Sequence, residues 1–70
     1  MNRTTLTRRE QQTVELLAEG HTTFEIAAML GISQHTAREH SDRARAKLGA
    51  RTAAHAVALY RDTVAAEPAA

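Results

Sequence analysis

Residues 22–48 read TTFEIAAMLGISQHTAREHSDRARAKL and contain two helix starts separated by a very short turn. Thr22 and Glu25 have the spacing of a capping box, in which each side chain satisfies a free backbone N–H of the other residue. Gly31 ends this helix, because glycine tolerates the left-handed conformation found just past a helix. Ser33 then caps the next helix, which runs to the end of the stretch. A turn this short forces the two helices to cross sharply, which is the geometry of a helix-turn-helix.

The flanking sequence predicts one further helix on each side. Thr7 and Glu10 form an earlier capping box, and Gly20 ends the helix that follows. Gly49 stops the helix that began at Ser33, and Thr52 is a suitable cap for the last helix. Apolar residues recur at intervals of three and four along the first, second and fourth helices: Val14, Leu17, Ala18, Ile26, Ala27, Leu30, Ala53, Ala56, Val57 and Tyr60. Since no strand-like alternation is present, the fold is predicted to be an all-α, four-helix helix-turn-helix domain with the third helix as recognition helix.

The domain organisation follows from these bounds. We expect an N-terminal lead-in over residues 1–6, one domain over residues 7–65, and a flexible C-terminal tail over residues 66–70 that includes the single proline. The chain has 70 residues, which is enough for one domain. It has no cysteine, which excludes a disulfide framework and a thiolate metal site. No apolar run is long enough to span a bilayer and no signal-peptide core is present, so a cytoplasmic protein without a membrane partner is expected.

Charge is distributed unevenly along the chain. The formal net charge is only +1, but residues 34–51 hold five basic and two acidic side chains and therefore carry +3. The segments on either side of this one are each slightly acidic. A concentrated basic segment is typical of a surface that binds phosphate groups, although an ordinary solvated helix face has the same composition.

The third helix has two chemically different sides. Small residues share one side with Leu48, namely Ala37, Ser41 and Ala44, and His40 lies at its edge. Long polar residues share the other side: Gln34, His35, Arg38, Asp42 and Arg45, with Glu39 at the margin. Arginine can bind guanine through two hydrogen bonds in the major groove, and glutamine can bind adenine. Arg38, Arg45 and Gln34 are therefore predicted to read or flank base edges. The phosphate ligands are expected to be Ser33, Thr36, His40, Arg43 and Lys47.

Two carboxylates on the polar side, those of Glu39 and Asp42, argue against DNA binding, because they repel phosphate unless they are paired. Arg38 with Asp42, and Glu39 with Arg43, have the spacing of helical ion pairs. We expect these carboxylates to tune DNA binding without abolishing it.

The order of residues resembles the C-terminal DNA-binding domain of LuxR-type regulators over about residues 6–60. The resemblance is carried by LTRRE (residues 6–10), LLAEG (16–20), EIA (25–27), LGIS (30–33), TAREH (36–40), KLGAR (47–51) and Ala56-Val57. It implies that the second and third helices are the scaffold and recognition elements and that the fourth helix is the dimer contact. The corresponding dimer residues here are Ala53, Ala56, Val57 and Tyr60. It also implies that the positions of Arg38, Glu39 and Asp42 face DNA.

This chain departs from the usual pattern of that family at several positions. Small residues replace larger aliphatic ones in or near the core: Ala37, Ser41, Ala44 and Ala50. Phe24 takes a position that is usually polar, where it either contacts a partner or fills space left by its small neighbours. Asp42 replaces a residue that is often basic or neutral.

Rival classes of function are each favoured by fewer features. Residues 43–48 also resemble the recognition helix in region four of bacterial sigma factors, which would likewise bind DNA. An interaction module that heterodimerises with a LuxR-type regulator and blocks its DNA binding is the main alternative, favoured by Glu39, Asp42 and the low net charge. No nucleophile–base arrangement, metal-ligand spacing or phosphate loop is present, so no enzyme activity, metal or cofactor is expected.

The expected partners are double-stranded DNA, a second copy of the chain, and RNA polymerase or another regulator. Whether the chain acts alone or is an excised domain stays open.

Overall fold

The computed structural model describes residues 6–66, with side chains described over residues 6–62. Four helices follow one another along this part of the chain: α1 (Arg8–Ala18), α2 (Thr23–Leu30), α3 (Gln34–Leu48) and α4 (Ala53–Ala66). The predicted all-α helix-turn-helix fold is therefore confirmed. All but one residue of the expected lead-in and all but one of the expected tail lie outside the described residues. Within the described part of the chain, no helix is both long and apolar enough to cross a bilayer.

Side-chain caps begin the helices where the sequence predicted them. Glu10 N–H donates to Thr7 Oγ1 (3.1 Å), and Thr7 N–H donates to Glu10 Oε1 (2.9 Å). The same reciprocal bonds at 3.1 and 2.9 Å join Thr22 and Glu25 at the start of α2. Thr52 Oγ1 accepts from His55 N–H (3.0 Å) at the start of α4. Each cap satisfies backbone donors that the first turn of a helix leaves free.

Helix α3 lies at the centre of the domain and contacts each of the other three helices. The buried apolar side chains are mostly small, which lets the helix backbones approach closely: Val14, Ile26, Ala27, Ala37, Ala44 and Ala56. Three of them, Ile26, Ala27 and Ala37, form a buried cluster. The half-buried neighbours that pack against this cluster are Leu16, Leu17, Leu30 and Ile32. The alanines of α3 that differ from the family pattern are thus fully enclosed, and the core is built on close approach in place of bulky side chains.

Helix α4 is held against α1 by polar contacts as well as by Ala56. The hydroxyl of Tyr60 donates to Glu15 Oε2 (2.8 Å), and Arg61 Nη2 donates to the carbonyl oxygen of Ala18 (3.0 Å). These contacts fix the side of α4 that faces the rest of the domain. Consequently, Ala54 and Ala58 lie on the opposite, exposed side.

A long-range ion pair joins α1 to the far end of α3. Lys47 Nζ lies 2.8 Å from Oε1 of Glu10, whose side chain is only 3% exposed. The same carboxylate oxygen accepts the capping bond from Thr7 N–H. Burial by itself would raise the pKa of Glu10, but the hydrogen bonds from Lys47 and Thr7 and the charge of Lys47 together outweigh it and lower the pKa. Glu10 is therefore ionised in the folded domain and links two helices that are distant in sequence.

We expect Glu10→Gln to lower the free energy of unfolding at pH 7 by about 1–3 kcal/mol, since the largely buried acceptor of Lys47 loses its charge. A lowered carboxyl pKa stabilises the fold above the ordinary value of 4.5, and this contribution is lost as the pH falls below that value and through the pKa of the folded state. The difference between wild type and Glu10→Gln should therefore shrink between pH 7 and pH 3. Urea unfolding followed by circular dichroism measures it.

Glu19→Gln is the matched control for this experiment. Glu19 lies at the C-terminal end of α1, and its side chain is 66% exposed. Its unfolding free energy should stay close to that of wild type at both pH values. A Glu10→Gln deficit that is the same at pH 7 and pH 3 would contradict the assignment of ionised Glu10 as a stabilising group.

Candidate nucleic-acid interface

The turn between α2 and α3 sets the angle at which α3 is presented. Gly31 has φ +70°, in the left-handed region, and the N–H of Ile32 donates to the carbonyl of Ala27 (3.0 Å). This is the hydrogen-bond pattern that closes a helix with glycine just past its end. Ile32 also packs against the buried cluster. The turn is thus fixed both by its backbone conformation and by an apolar anchor.

The start of α3 is exposed and rich in hydrogen-bond donors. Ser33 Oγ accepts from Thr36 N–H (3.0 Å) and donates to Thr36 Oγ1 (3.0 Å). Ser33 and Gln34 are exposed, and Thr36 is half-buried. The free backbone N–H groups of a first helical turn, together with the helix dipole, favour a negatively charged group. These predicted phosphate and base contacts are all near the accessible end of α3.

The solvent-facing side of α3 is here called the outer face and consists of His35, Arg38, Glu39, Asp42, Arg43 and Ala46. Arg38 and Arg43 are exposed, and neither guanidinium group has a hydrogen bond or ion pair with another residue in the described part of the chain. Both guanidinium groups are therefore available to an external partner. Ala46 was not among the predicted site residues, although the helical period places it on this side. Its small side chain allows close approach at that point.

The carboxylates of the outer face pair differently from the expectation. Glu39 Oε2 lies 3.2 Å from His35 Nε2, and Asp42 Oδ1 accepts from Arg45 Nη2 at 3.0 Å. The predicted Arg38–Asp42 and Glu39–Arg43 pairs do not form. Several partners at three or four positions compete for each carboxylate on a helix, and spacing alone does not rank them. As a result, the exposed Arg38 and Arg43 have no carboxylate partner on α3.

Three predicted site residues lie at the margins of the outer face. Arg45 is half-buried, and its Nη1 also donates to the carbonyl oxygen of Arg51 (3.4 Å). His40 is half-buried, and its Nδ1 is enclosed without a hydrogen-bond partner among the described residues. Lys47 is exposed along its stem, but its ammonium group is bound to Glu10. That ammonium thus already serves the α1–α3 ion pair, and contact of Lys47 with phosphate stays a prediction.

The predicted dimer residues differ in exposure. Ala53 is exposed, Val57 is half-buried, and Tyr60 is half-buried with its hydroxyl bound to Glu15. Ala56 is only 2% exposed and packs inside its own domain. The expectation that Ala56 contacts a second copy is corrected, because no surface of that side chain remains for a partner.

Two large apolar side chains of α2 are exposed, Phe24 at 64% and Met29 at 53%. Of the two alternatives considered for Phe24, the structure does not support filling of space among small neighbours. Within the described residues, no three His, Cys, Asp or Glu side chains converge in the way that a bound metal ion requires.

The tight glycine turn, the buried small-residue side of α3 and its exposed basic side together define a helix-turn-helix domain. Residues 4–60 match the sequence model of a family described as "Bacterial regulatory proteins, luxR family". The chain therefore belongs to the LuxR family of bacterial regulatory proteins, as its motifs predicted.

Two relatives are similar over most of this chain. It is 45% identical to the transcriptional activator protein BjaR1 of Bradyrhizobium diazoefficiens over 56 residues, which are 80% of this chain and 23% of BjaR1. It is 46% identical to the spore germination protein GerE of Bacillus subtilis over 52 residues, which are 74% of this chain and 70% of GerE. The chain thus spans about a quarter of the first relative and most of the second.

Gly31→Ala should destabilise the domain by about 1–2 kcal/mol, because a residue with a Cβ is strained in the left-handed conformation. No atom lies within 4 Å of the Cβ position at Gly31, so the loss comes from the backbone and not from a clash. Thermal and urea unfolding measure it. Gly31→Asn is the matched variant and should lose less, because asparagine tolerates this conformation better. Equal losses for the two variants would show that backbone strain is not the cause.

Proposed function

We propose that this domain binds double-stranded DNA sequence-specifically as part of a bacterial transcriptional regulator, with α3 in the major groove. The single observation that carries the proposal is the outer face of α3, where Arg38 and Arg43 are exposed and uncommitted on a helix whose other side is buried. A helix of this kind fits the width of the major groove. The similar protein BjaR1 is a transcriptional activator, which is consistent with this function.

The roles of the individual side chains follow from their positions. Arg38 lies near the start of α3, where recognition helices contact base edges. Arg43 lies further along and is assigned to phosphate. Ser33, Gln34 and Thr36 add donors at the first turn. The pairing of Asp42 with Arg45 reduces the repulsion that a free carboxylate would exert on phosphate, and Glu39 lies 3.2 Å from His35. Since Arg38 and Arg43 stay exposed and unpaired beside these carboxylates, we favour DNA binding over the interaction module.

We expect Arg38→Ala to cost about 1–3 kcal/mol on a selected duplex and little on unrelated duplexes, as a base contact should. Arg43→Ala should weaken binding by a similar factor on every duplex and reduce the dependence of log affinity on log salt by about one unit, as a phosphate contact should. Fluorescence anisotropy with a duplex selected from a random library, at two salt concentrations, measures both.

Arg9→Ala is the control for loss of charge, because it removes one exposed arginine from α1. It should leave affinity nearly unchanged. If a folded, helical wild-type chain binds no duplex even at low salt, the proposal is wrong. Formation of a heterodimer with another LuxR-type regulator by that chain would then favour the interaction module.

The same proposal includes pairing of two copies through α4, where Ala53, Ala54 and Ala58 are exposed and Val57 is half-buried. Two copies with α3 in successive major grooves require half-sites about 10 base pairs apart. RNA polymerase or another regulator is the further partner that transcriptional control predicts.

Ala58→Glu places a charge on the exposed side of α4 and should disrupt pairing without disturbing the buried side. Sedimentation velocity in the presence of a paired-site duplex should show two copies bound for wild type and one for the variant. Ala28→Glu, a matched change at an exposed alanine of α2, should leave two copies bound. Unchanged stoichiometry for Ala58→Glu would exclude α4 as the contact.

A further inference from the structure

Arg38, one of the two uncommitted arginines of the outer face, lies close to two carboxylates that contact other side chains, Glu39 and Asp42. Arg38 is exposed, and Asp42 lies one helical turn beyond it, at the spacing that ordinarily favours an ion pair. Asp42 is instead bound by Arg45, with 3.0 Å between Nη2 and Oδ1. The absence of an Arg38–Asp42 pair thus has a visible cause on the same helix.

Arg45 is in turn held from a second side. Its Nη1 donates to the carbonyl oxygen of Arg51 (3.4 Å), beyond the end of α3, and its side chain is 38% exposed. An arginine anchored at two points loses less freedom when it binds a carboxylate than a fully exposed arginine does. Arg45 therefore competes well for Asp42. In consequence, all five N–H donors of Arg38 remain available.

The carboxylate of Glu39 accepts hydrogen bonds and cannot donate them. Its Oε2 faces His35 Nε2 at 3.2 Å, and the side chain is 44% exposed. In the major groove, the cytosine amino group is a donor with no acceptor on the same base edge, whereas adenine places the acceptor N7 beside its amino group. A carboxylate is therefore better matched to cytosine. Arginine, with its fork of donors, is matched to guanine O6 and N7.

We propose that α3 selects G·C base pairs, with Arg38 binding guanine and Glu39 accepting from the cytosine amino group. In this arrangement Arg45 is a positioning residue that keeps Asp42 away from Arg38. The inference rests on the proposed function, since it assigns the base preference of the same DNA-binding surface.

The first test is selection of bound duplexes from a random library by wild type, Arg38→Ala and Glu39→Gln, with sequencing of each pool. The wild-type motif should contain G·C pairs at two or more positions of each half-site. Arg38→Ala should lose the preference for guanine at one position, and Glu39→Gln should lose the preference for cytosine at another. On the wild-type site, each variant should bind about tenfold more weakly or worse.

The second test addresses Arg45 through the ratio of affinities for duplexes with guanine or adenine at the Arg38-dependent position. Arg45→Ala should lower this ratio several-fold, because the released Asp42 pairs with Arg38. The double variant Asp42→Ala, Arg45→Ala should restore the ratio, although total affinity stays below that of wild type. A purely structural or phosphate-binding role of Arg45 would lower both affinities together and would not be rescued. Circular dichroism and thermal unfolding check that each variant is folded.

The outcomes separate the inference from the proposed function. Salt-dependent binding with an A·T-only motif, or a Glu39→Gln pool with an unchanged motif, would overturn the inference while DNA binding stands. An Arg45→Ala ratio equal to that of wild type would overturn the positioning role. Absence of any duplex binding by folded wild-type protein would overturn the proposed function itself.

Discussion

The ion pair between Glu10 and Lys47 determines how the domain presents its third helix. Glu10 is at once the second member of the Thr7 capping box of α1 and the acceptor of an ammonium in the last turn of α3. The opposite end of α3 is fixed by the Gly31 turn and the Ser33 cap. With both ends held and alanines packed between them, α3 has little freedom to rotate about its own axis. The direction of its outer face is therefore set before any partner binds.

Electrostatics on that outer face depend more on local pairing than on net charge. Both carboxylates are engaged by neighbours on α3, one by His35 and one by Arg45. The basic excess of the segment is consequently concentrated on the arginines that remain free. A sum of formal charges along the sequence counts Glu39 and Asp42 as negative charges that repel an anionic partner. The arrangement of their side chains shows that Asp42 is paired with Arg45, that Glu39 lies beside His35, and that Arg38 and Arg43 are left exposed.

Sequence reasoning succeeded where structure is determined by neighbours along the chain. The capping boxes at Thr7 and Thr22, the glycine after α2 and the two sides of α3 all depend on spacings of five residues or fewer. It failed where the outcome depends on how helices cross. The bond between Glu10 and Lys47 spans 37 positions, and the burial of Ala56 depends on how α4 packs on the rest of the domain. It also failed where two partners at helical spacing compete for one carboxylate, as at Asp42, because such pairs differ little in free energy.

In α3, the residues that stabilise the fold are different from those that face solvent. Ala37 and Ala44 are seated entirely within the domain, whereas Arg38 and Arg43, each adjacent to one of them in sequence, contribute nothing to its interior. Exchanges on the outer face therefore leave the scaffold largely unaffected. Over evolutionary time, such a domain can change its target while its stability drifts little. The same separation makes it a suitable host for engineered specificity.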